Sequence, residues 1–181
     1  YVPGRKPGEK LQVIAVVNFK GGSGKTTTAT HLAQHLALTG HRVLAIDLDP
    51  QASLSALHGF QPELDKNSSL YDSIRYDQPR PLAEVIQATN FPLLEIVPAN
   101  LELQEYEYET PLAMQTSSEG KRFFTRLGKS LESVDDRFDV VVIDCPPQLG
   151  YLTLTALSAA TSVLITVHPQ MLDLMSMSQF L

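Results

Sequence analysis

Two lysines set in a run of glycines are the residues of this chain best suited to chemistry. Positions 20–28 read Lys20-Gly21-Gly22-Ser23-Gly24-Lys25-Thr26-Thr27-Thr28. They fit the phosphate-binding pattern G-x-x-x-x-G-K-[ST] except at its first position, where Phe19 stands and an extra lysine, Lys20, follows. A phosphate loop needs glycine because backbone N–H groups must turn inward around an anion with no β-carbon in the way. Gly21, Gly22, Ser23 and Gly24 would form that cradle, with Thr27 at its helical end. Lys25 then reaches the β- and γ-phosphates of a nucleotide, and the Thr26 hydroxyl can ligate Mg²⁺. Lys20 is unnecessary for holding phosphate within one subunit, so its presence points to a task beyond binding.

Three carboxylates accompany the loop. Asp144 closes the apolar run Val140-Val141-Val142-Ile143, and in phosphate-loop proteins such an Asp sits near the Mg²⁺, directly or through water. Asp47 and Asp49 lie two apart at the end of a second apolar run, a spacing that sends both side chains to one side of a strand. A pair placed there can share a metal shell, and a carboxylate near a γ-phosphate can orient an attacking water. Asp49-Pro50 is also a turn dipeptide, and an Asp after a strand also caps helices.

These residues need a frame to hold them. Residues 12–19 are an apolar, β-branched run of strand length. Residues 26–39 carry Leu32, Ala33, Leu36 and Ala37 at helical spacing, with Gly40 as the stop. Strand, glycine loop and helix N-terminus is the arrangement that aims aligned N–H dipoles at an anion. Further strands are expected over 42–49, 93–98, 139–144 and 162–167. Helices are expected over 52–58, about 69–74, 82–88, 119–133, 151–160 and from 171 onward. The acidic, Tyr-rich stretch 101–116 has no clear pattern. Strands that are nearly all apolar and alternate with helices predict an α/β fold, a doubly wound, mostly parallel sheet covered on both faces.

The 181 residues suit one domain, and a 43% hydrophobic fraction supplies a real core. A net charge of −6 excludes a globally basic nucleic-acid binder, though not a local basic patch. The single cysteine, Cys145, rules out an intramolecular disulfide and suits a reducing cytosol. No apolar run approaches the roughly 20 residues of a membrane span, and the start has no signal-like apolar core. Residues 1–10, with Pro3, Gly4, Pro7 and Gly8 among Arg5, Lys6 and Lys10, read as a flexible basic linker ahead of a domain over 11–181. The opening Tyr1 and the helical pattern running into Leu181 are expected of a chain cut on both sides.

Taken together, the motifs resemble the ParA/MinD family of ATPases with a deviant phosphate loop. Lys20 to Thr27 is similar to that loop, Asp47-Leu48-Asp49-Pro50-Gln51 to the Asp-x-Asp-Pro-Gln segment of the partition branch, and Val-Val-Ile-Asp144-Cys-Pro-Pro to the second acidic strand and switch. His168-Pro169-Gln170 and the Met-rich segment after it resemble the RepA partition proteins of repABC-type plasmids. The resemblance implies a phosphate-loop fold that binds ATP or ADP with Mg²⁺ and forms a homodimer around two nucleotides. In it Lys20 would cross to the partner's phosphates, Lys25 would hold its own, Thr26 would ligate Mg²⁺, Asp144 and Asp47 would support the metal shell, and Asp49 would position water. It further implies slow ATP hydrolysis, stimulated by a ParB/RepB-type centromere-binding protein, and ATP-gated binding to non-specific DNA that segregates plasmid or chromosome copies. A cytoplasmic, nucleoid-associated protein with no membrane partner follows. So does repression of its own operon through a region ahead of Tyr1.

Rival readings share part of this pattern. A MinD-type positioning ATPase needs an amphipathic membrane helix, and the Asp49-Pro50-Gln51 segment favours partition over it. A metabolic synthetase or a nitrogenase iron protein uses the same loop class, but one cysteine cannot bridge a cluster. A transcriptional regulator could use the nucleotide as a ligand without hydrolysing it. His31 and His35, one helical turn apart, lack a third metal ligand and read as surface or half-buried residues. Cys145 reads as a buried structural thiol. Lys121, Arg122, Arg126 and Lys129 read as a solvated helix face more readily than as a DNA-facing patch, and at least two of Met171, Met175 and Met177 read as core.

Overall fold

Six strands form one sheet in the order β3-β4-β2-β5-β1-β6. In this computed structural model, which describes residues 5–18, 24–61, 68–167 and 171–181, the strands are β1 (Gln12–Val17), β2 (Val43–Asp47), β3 (Gln87–Ala88), β4 (Leu94–Val97), β5 (Val140–Asp144) and β6 (Ser162–Ile165). All pairings are parallel except that of the short edge strand β3. The helices are α1 (Lys25–Leu38), α2 (Ser53–Leu57), α3 (Leu70–Ile74), α4 (Glu105–Thr116), α5 (Ser118–Lys121), α6 (Arg126–Glu132), α7 (Tyr151–Ala159) and α8 (Met171–Phe180).

Strand alternation sends side chains into two cores. Leu44, Ile46, Val141 and Ile143 join the larger core, beneath α3, α4, α6 and α7. Val43, Ala45, Val140 and Val142 join the smaller one, beneath α1. Ala29, Ala33 and Ala37 are the buried face of α1, spaced one turn apart, and their small side chains let that helix lie close on the sheet. Burial on both faces explains why these strands read as unbroken apolar runs.

The sheet places β5 between β1 and β2, with Val16 of β1 and Asp47 of β2 both in register with Asp144. Ligands of open parallel sheets bind at this carboxyl edge, where neighbouring connections diverge. The doubly wound fold is therefore the one the strand pattern predicts.

Two expected helices differ. Residues 82–88 form a single 3₁₀ turn (Leu82–Glu84) followed by β3, which pairs antiparallel with β4. A seven-residue segment is too short to hold a helix alone, and the β4 edge offers ladder hydrogen bonds instead. Residues 119–133 are broken into α5, a 3₁₀ turn (Phe123–Thr125) and α6. Phe123 is buried, and its carbonyl accepts a hydrogen bond from the Tyr106 hydroxyl. The stretch 101–116 is a 3₁₀ turn leading into α4, with Pro111 inside the helix.

Of the expected linker, Arg5 is tied to the domain. The Arg5 backbone N–H donates to Asp139, and its guanidinium pairs with Asp135. The linker reading of 1–4 lies outside the described residues. Among the described residues no helix is long and apolar enough to cross a membrane.

Candidate phosphate and metal site

Helix α1 begins at Lys25 with Gly24 as its N-cap, in the left-handed region at φ 76°, where a side chain would be strained. Among the described residues no side chain caps this end, and its first turn carries no acid. The first-turn N–H groups are thus left to an anion, at the positive end of the helix dipole.

Lys25 is buried, and its ammonium forms an ion pair with Oδ1 of Asp144, which is fully buried at the end of β5. Thr26 Oγ1 donates to the other oxygen, Oδ2, at 2.9 Å. The loop lysine, the loop threonine and the terminal Asp of β5 therefore meet as the spacing predicts. Burial pushes the Asp144 carboxyl above its ordinary value, and the Lys25 charge and the two hydrogen bonds oppose that. An ammonium buried without a partner is costly, so Asp144 supplies the negative charge that a phosphate would bring. A hydroxyl and a carboxylate oxygen side by side are hard donors of the kind Mg²⁺ takes, so this set fits a magnesium nucleotide.

The Asp47 and Asp49 pair is arranged differently from the expected shared strand face. Strand β2 stops at Asp47, and Asp49 stands in the turn that follows. The Asp49 carboxylate accepts from the Gln51 N–H at 3.0 Å, and the Ala52 N–H closes the turn on the Asp49 carbonyl at 2.8 Å. Asp-Pro turn chemistry is the cause. Asp47 uses both oxygens within the protein: Oδ1 accepts from the Asp49 N–H, and Oδ2 accepts from the N–H and hydroxyl of Ser55 at 2.9 and 2.6 Å. Burial raises the Asp47 carboxyl to about 7, against the Ser55 hydrogen bond and with help from the Asp144 charge. Among the described residues the acids form no cluster able to hold a metal ion unaided.

Several site-supporting residues carried no sequence signal. Ser55 is buried, and besides bonding Asp47 it accepts from the Ala99 N–H, which ties β2 to the end of β4. Asn18, just past β1, donates to the carbonyl and hydroxyl of Thr166 beyond β6. Ala52 adopts φ 57° at the start of α2, an uncommon conformation for a non-glycine residue, beside the Asp49 turn. Lys20, Gly21, Gly22, Ser23 and the His168-Pro169-Gln170 stretch lie outside the described residues. Thr27 sits in the first turn of α1.

The remaining expectations divide. His31 and His35 are exposed, and Cys145 is a buried free thiol whose pKa burial pushes up. Lys121, Arg122 and Lys129 are exposed, but Arg126 is not a solvated residue. Its guanidinium donates to the Ile74 and Arg75 carbonyls and lies 4.5 Å from the centre of the Tyr76 ring. Met175 is 54% exposed and so is not core, Met177 is half-buried, and the Met171 side chain lies outside the described residues.

A family model described as an AAA domain matches residues 11–181. A Sinorhizobium fredii protein that carries the name replication protein A is 76% identical over 184 residues, covering 100% of this chain and 45% of that protein. The chromosome partitioning protein ParA of Myxococcus xanthus is 36% identical over 168 residues, 93% of this chain and 56% of that one. The crystal structure of a Mycobacterium smegmatis cobyrinic acid a,c-diamide synthase with a bound ATP analogue and magnesium superposes with a TM-score of 0.82 at 34% identity, covering 94% of this chain and 65% of that one. The chain spans about half the length of the curated relatives it matches. A sheet of this order, a Lys25–Thr26–Asp144 site at its carboxyl edge and a match over 11–181 mean that the chain belongs to the AAA-domain family, as a ParA-like member of it.

Proposed function

We propose that this chain is the nucleotide-hydrolysing core of a DNA-partition ATPase. The observation that carries the nucleotide chemistry is the convergence of Lys25 and Thr26 on Asp144 at the start of α1. The partition role is supported by likeness to the M. xanthus ParA over 93% of this chain.

In this reading the resting Lys25–Asp144 pair is a stand-in. Lys25 exchanges the carboxylate for the β- and γ-phosphates of ATP, held also by Gly21, Gly22, Ser23, Gly24 and Thr27. Thr26 would ligate Mg²⁺ with Asp144 behind it, and the ion would supply positive charge against that developing on the phosphates. Asp49 orients the attacking water, and Asp47 acts on the site only through the turn that carries Asp49, which it fixes. Lys20 crosses to the phosphates of a second copy and makes hydrolysis depend on a homodimer. The ATP-bound dimer holds non-specific DNA, a ParB/RepB-type centromere-binding protein speeds its slow hydrolysis, and release segregates low-copy DNA. The intact protein works in the cytoplasm on the nucleoid and represses its own operon.

The likeness to the diamide synthase favours one second reading, a metabolic synthetase of the same loop class. Binding of the intact protein to non-specific duplex DNA, titrated with salt in ATP and in ADP, separates the two. Tight, salt-sensitive binding in ATP alone is expected. Equal or absent binding in both states overturns the partition role and leaves the synthetase.

A further inference from the structure

Among the described residues the acidic helix α4 touches no residue of the phosphate site, yet it grips the element that follows Asp144. Only residues 145–150 separate Asp144 from α7. The N-cap of α7 is Gly150, which has no side chain to satisfy the helix N–H groups. Glu107 of α4 does so from across the fold: Oε2 accepts from the Tyr151 N–H at 2.9 Å and Oε1 from the Leu152 N–H at 3.0 Å. The carboxylate sits at the positive end of the α7 dipole, where such hydrogen bonds are strongest. A β-carbon on Gly150 would lie 2.5 Å from Oε1, so this approach requires glycine there. The neighbouring Tyr106 reinforces the grip: its buried hydroxyl donates to the Phe123 carbonyl at 3.0 Å and lies 3.1 Å from Thr155 Oγ1 on α7.

The other end of 145–150 is anchored to the sheet. The Cys145 N–H donates to the Val16 carbonyl at 3.1 Å, directly after Asp144. Between the anchors, Pro146 and Pro147 limit backbone freedom, Gln148 and Leu149 are exposed, and Thr153 Oγ1 donates back to the Gln148 carbonyl. In the proposed function Lys25 leaves Asp144 for phosphate, and the segment directly behind that carboxylate is held between these two ends.

We infer that Glu107 is a positioning residue for nucleotide hydrolysis: its clamp on the N-terminus of α7 sets where residues 145–150 stand behind Asp144, and so couples α4 to the phosphate site. The inference rests on the hydrolytic reading of that site. It also gives a task to the acidic, Tyr-rich segment that the sequence left without one.

Two substitutions release the clamp from opposite sides. Glu107→Gln removes the charge and keeps the size. Gly150→Ala keeps the charge and pushes the carboxylate away. In the intact protein each is expected to speed amide exchange at 151–152 by about tenfold or more, the scale of a lost charge-assisted hydrogen bond. Each is also expected to lower kcat by about tenfold with KM for ATP within about twofold, because the change falls on positioning and not on ground-state binding. The double variant should be no worse than either single one, and Glu107→Asp should recover part of kcat.

Faster exchange with unchanged kcat overturns the inference, since the clamp is then only structural. Additive losses in the double variant also overturn it. Absence of hydrolysis in the wild type defeats the proposed function separately. The exchange arm then decides the clamp alone, and equal rates at 145–152 in wild type and variants, with and without ATP, overturn it.

Discussion

Asp47 and Asp144 face each other in register across β2 and β5, and both are fully buried. Each closes an apolar strand, and in sequence each carries the same signal. Their partners separate them. Asp144 is held by the side-chain ends of Lys25 and Thr26, two residues of the phosphate-loop helix. Asp47 is held by two backbone N–H groups and the Ser55 hydroxyl, all within the turn and helix that follow it. In the proposed function the first set, being side chains, is exchanged for a ligand. The second set is the local fold, and giving it up would leave buried donors unsatisfied. An acid at a strand end is thus a site residue when its partners can leave, and scaffold when they cannot.

The harshest way to break the comparison is to remove the exchangeable partner. Lys25→Ala should lower ATP affinity by more than about 100-fold in calorimetry, because the phosphates lose their charge partner. It should also cost about 3–5 kcal/mol of stability in urea unfolding, since Asp144 is left buried and unpaired. Adding Asp144→Ala should restore much of the stability and none of the binding. Unchanged ATP affinity in Lys25→Ala would contradict the site.

Asp49, in the turn that Asp47 fixes, should matter to hydrolysis and little to binding. Asp49→Ala is expected to lower kcat by about 10²–10⁴-fold, the usual scale for a group that handles the attacking water, with ATP affinity within about threefold. Single-turnover hydrolysis at the wild-type rate would remove Asp49 from the mechanism.

Asp47 sharpens the comparison through pH. Its folded-state value of about 7 lies above the unfolded 3.8, so the folded protein holds this proton more tightly. That contribution is present in full below about pH 4 and is lost as pH rises through 7. Between pH 4 and 8 the stability of wild type relative to Asp47→Asn should therefore fall, by about 2–4 kcal/mol. A wild-type-minus-variant difference that stays flat over this range, read by urea unfolding, would contradict the burial argument.

The legible parts of the site were those encoded in consecutive residues. The strand, loop and helix around Lys25 and the apolar run ending in Asp144 carry their roles in local pattern, and the sheet follows from the same runs. What escaped depends on partners far away in sequence. Nothing near Ser55 announces that it bonds both Asp47 and Ala99, and nothing near Glu107 announces α7, 44 residues on. Arg126 looked like one cation of a solvated face because its carbonyl partners on Ile74 and Arg75 are more than 50 residues away. The expected 119–133 helix failed for a similar reason: the Phe123 carbonyl bonds Tyr106 from another element.

The central claim is that Asp144 answers to the nucleotide and its metal while Asp47 answers to the fold. Calorimetric titration of ATP into the intact protein across a range of Mg²⁺ concentrations, for Asp144→Asn and Asp47→Asn, tests it most directly. The account predicts that Asp144→Asn weakens the Mg²⁺ dependence by about 10–100-fold, as loss of a metal-supporting partner does, and that Asp47→Asn leaves it within about threefold. Equal losses in both variants, or a loss in Asp47→Asn alone, would contradict it.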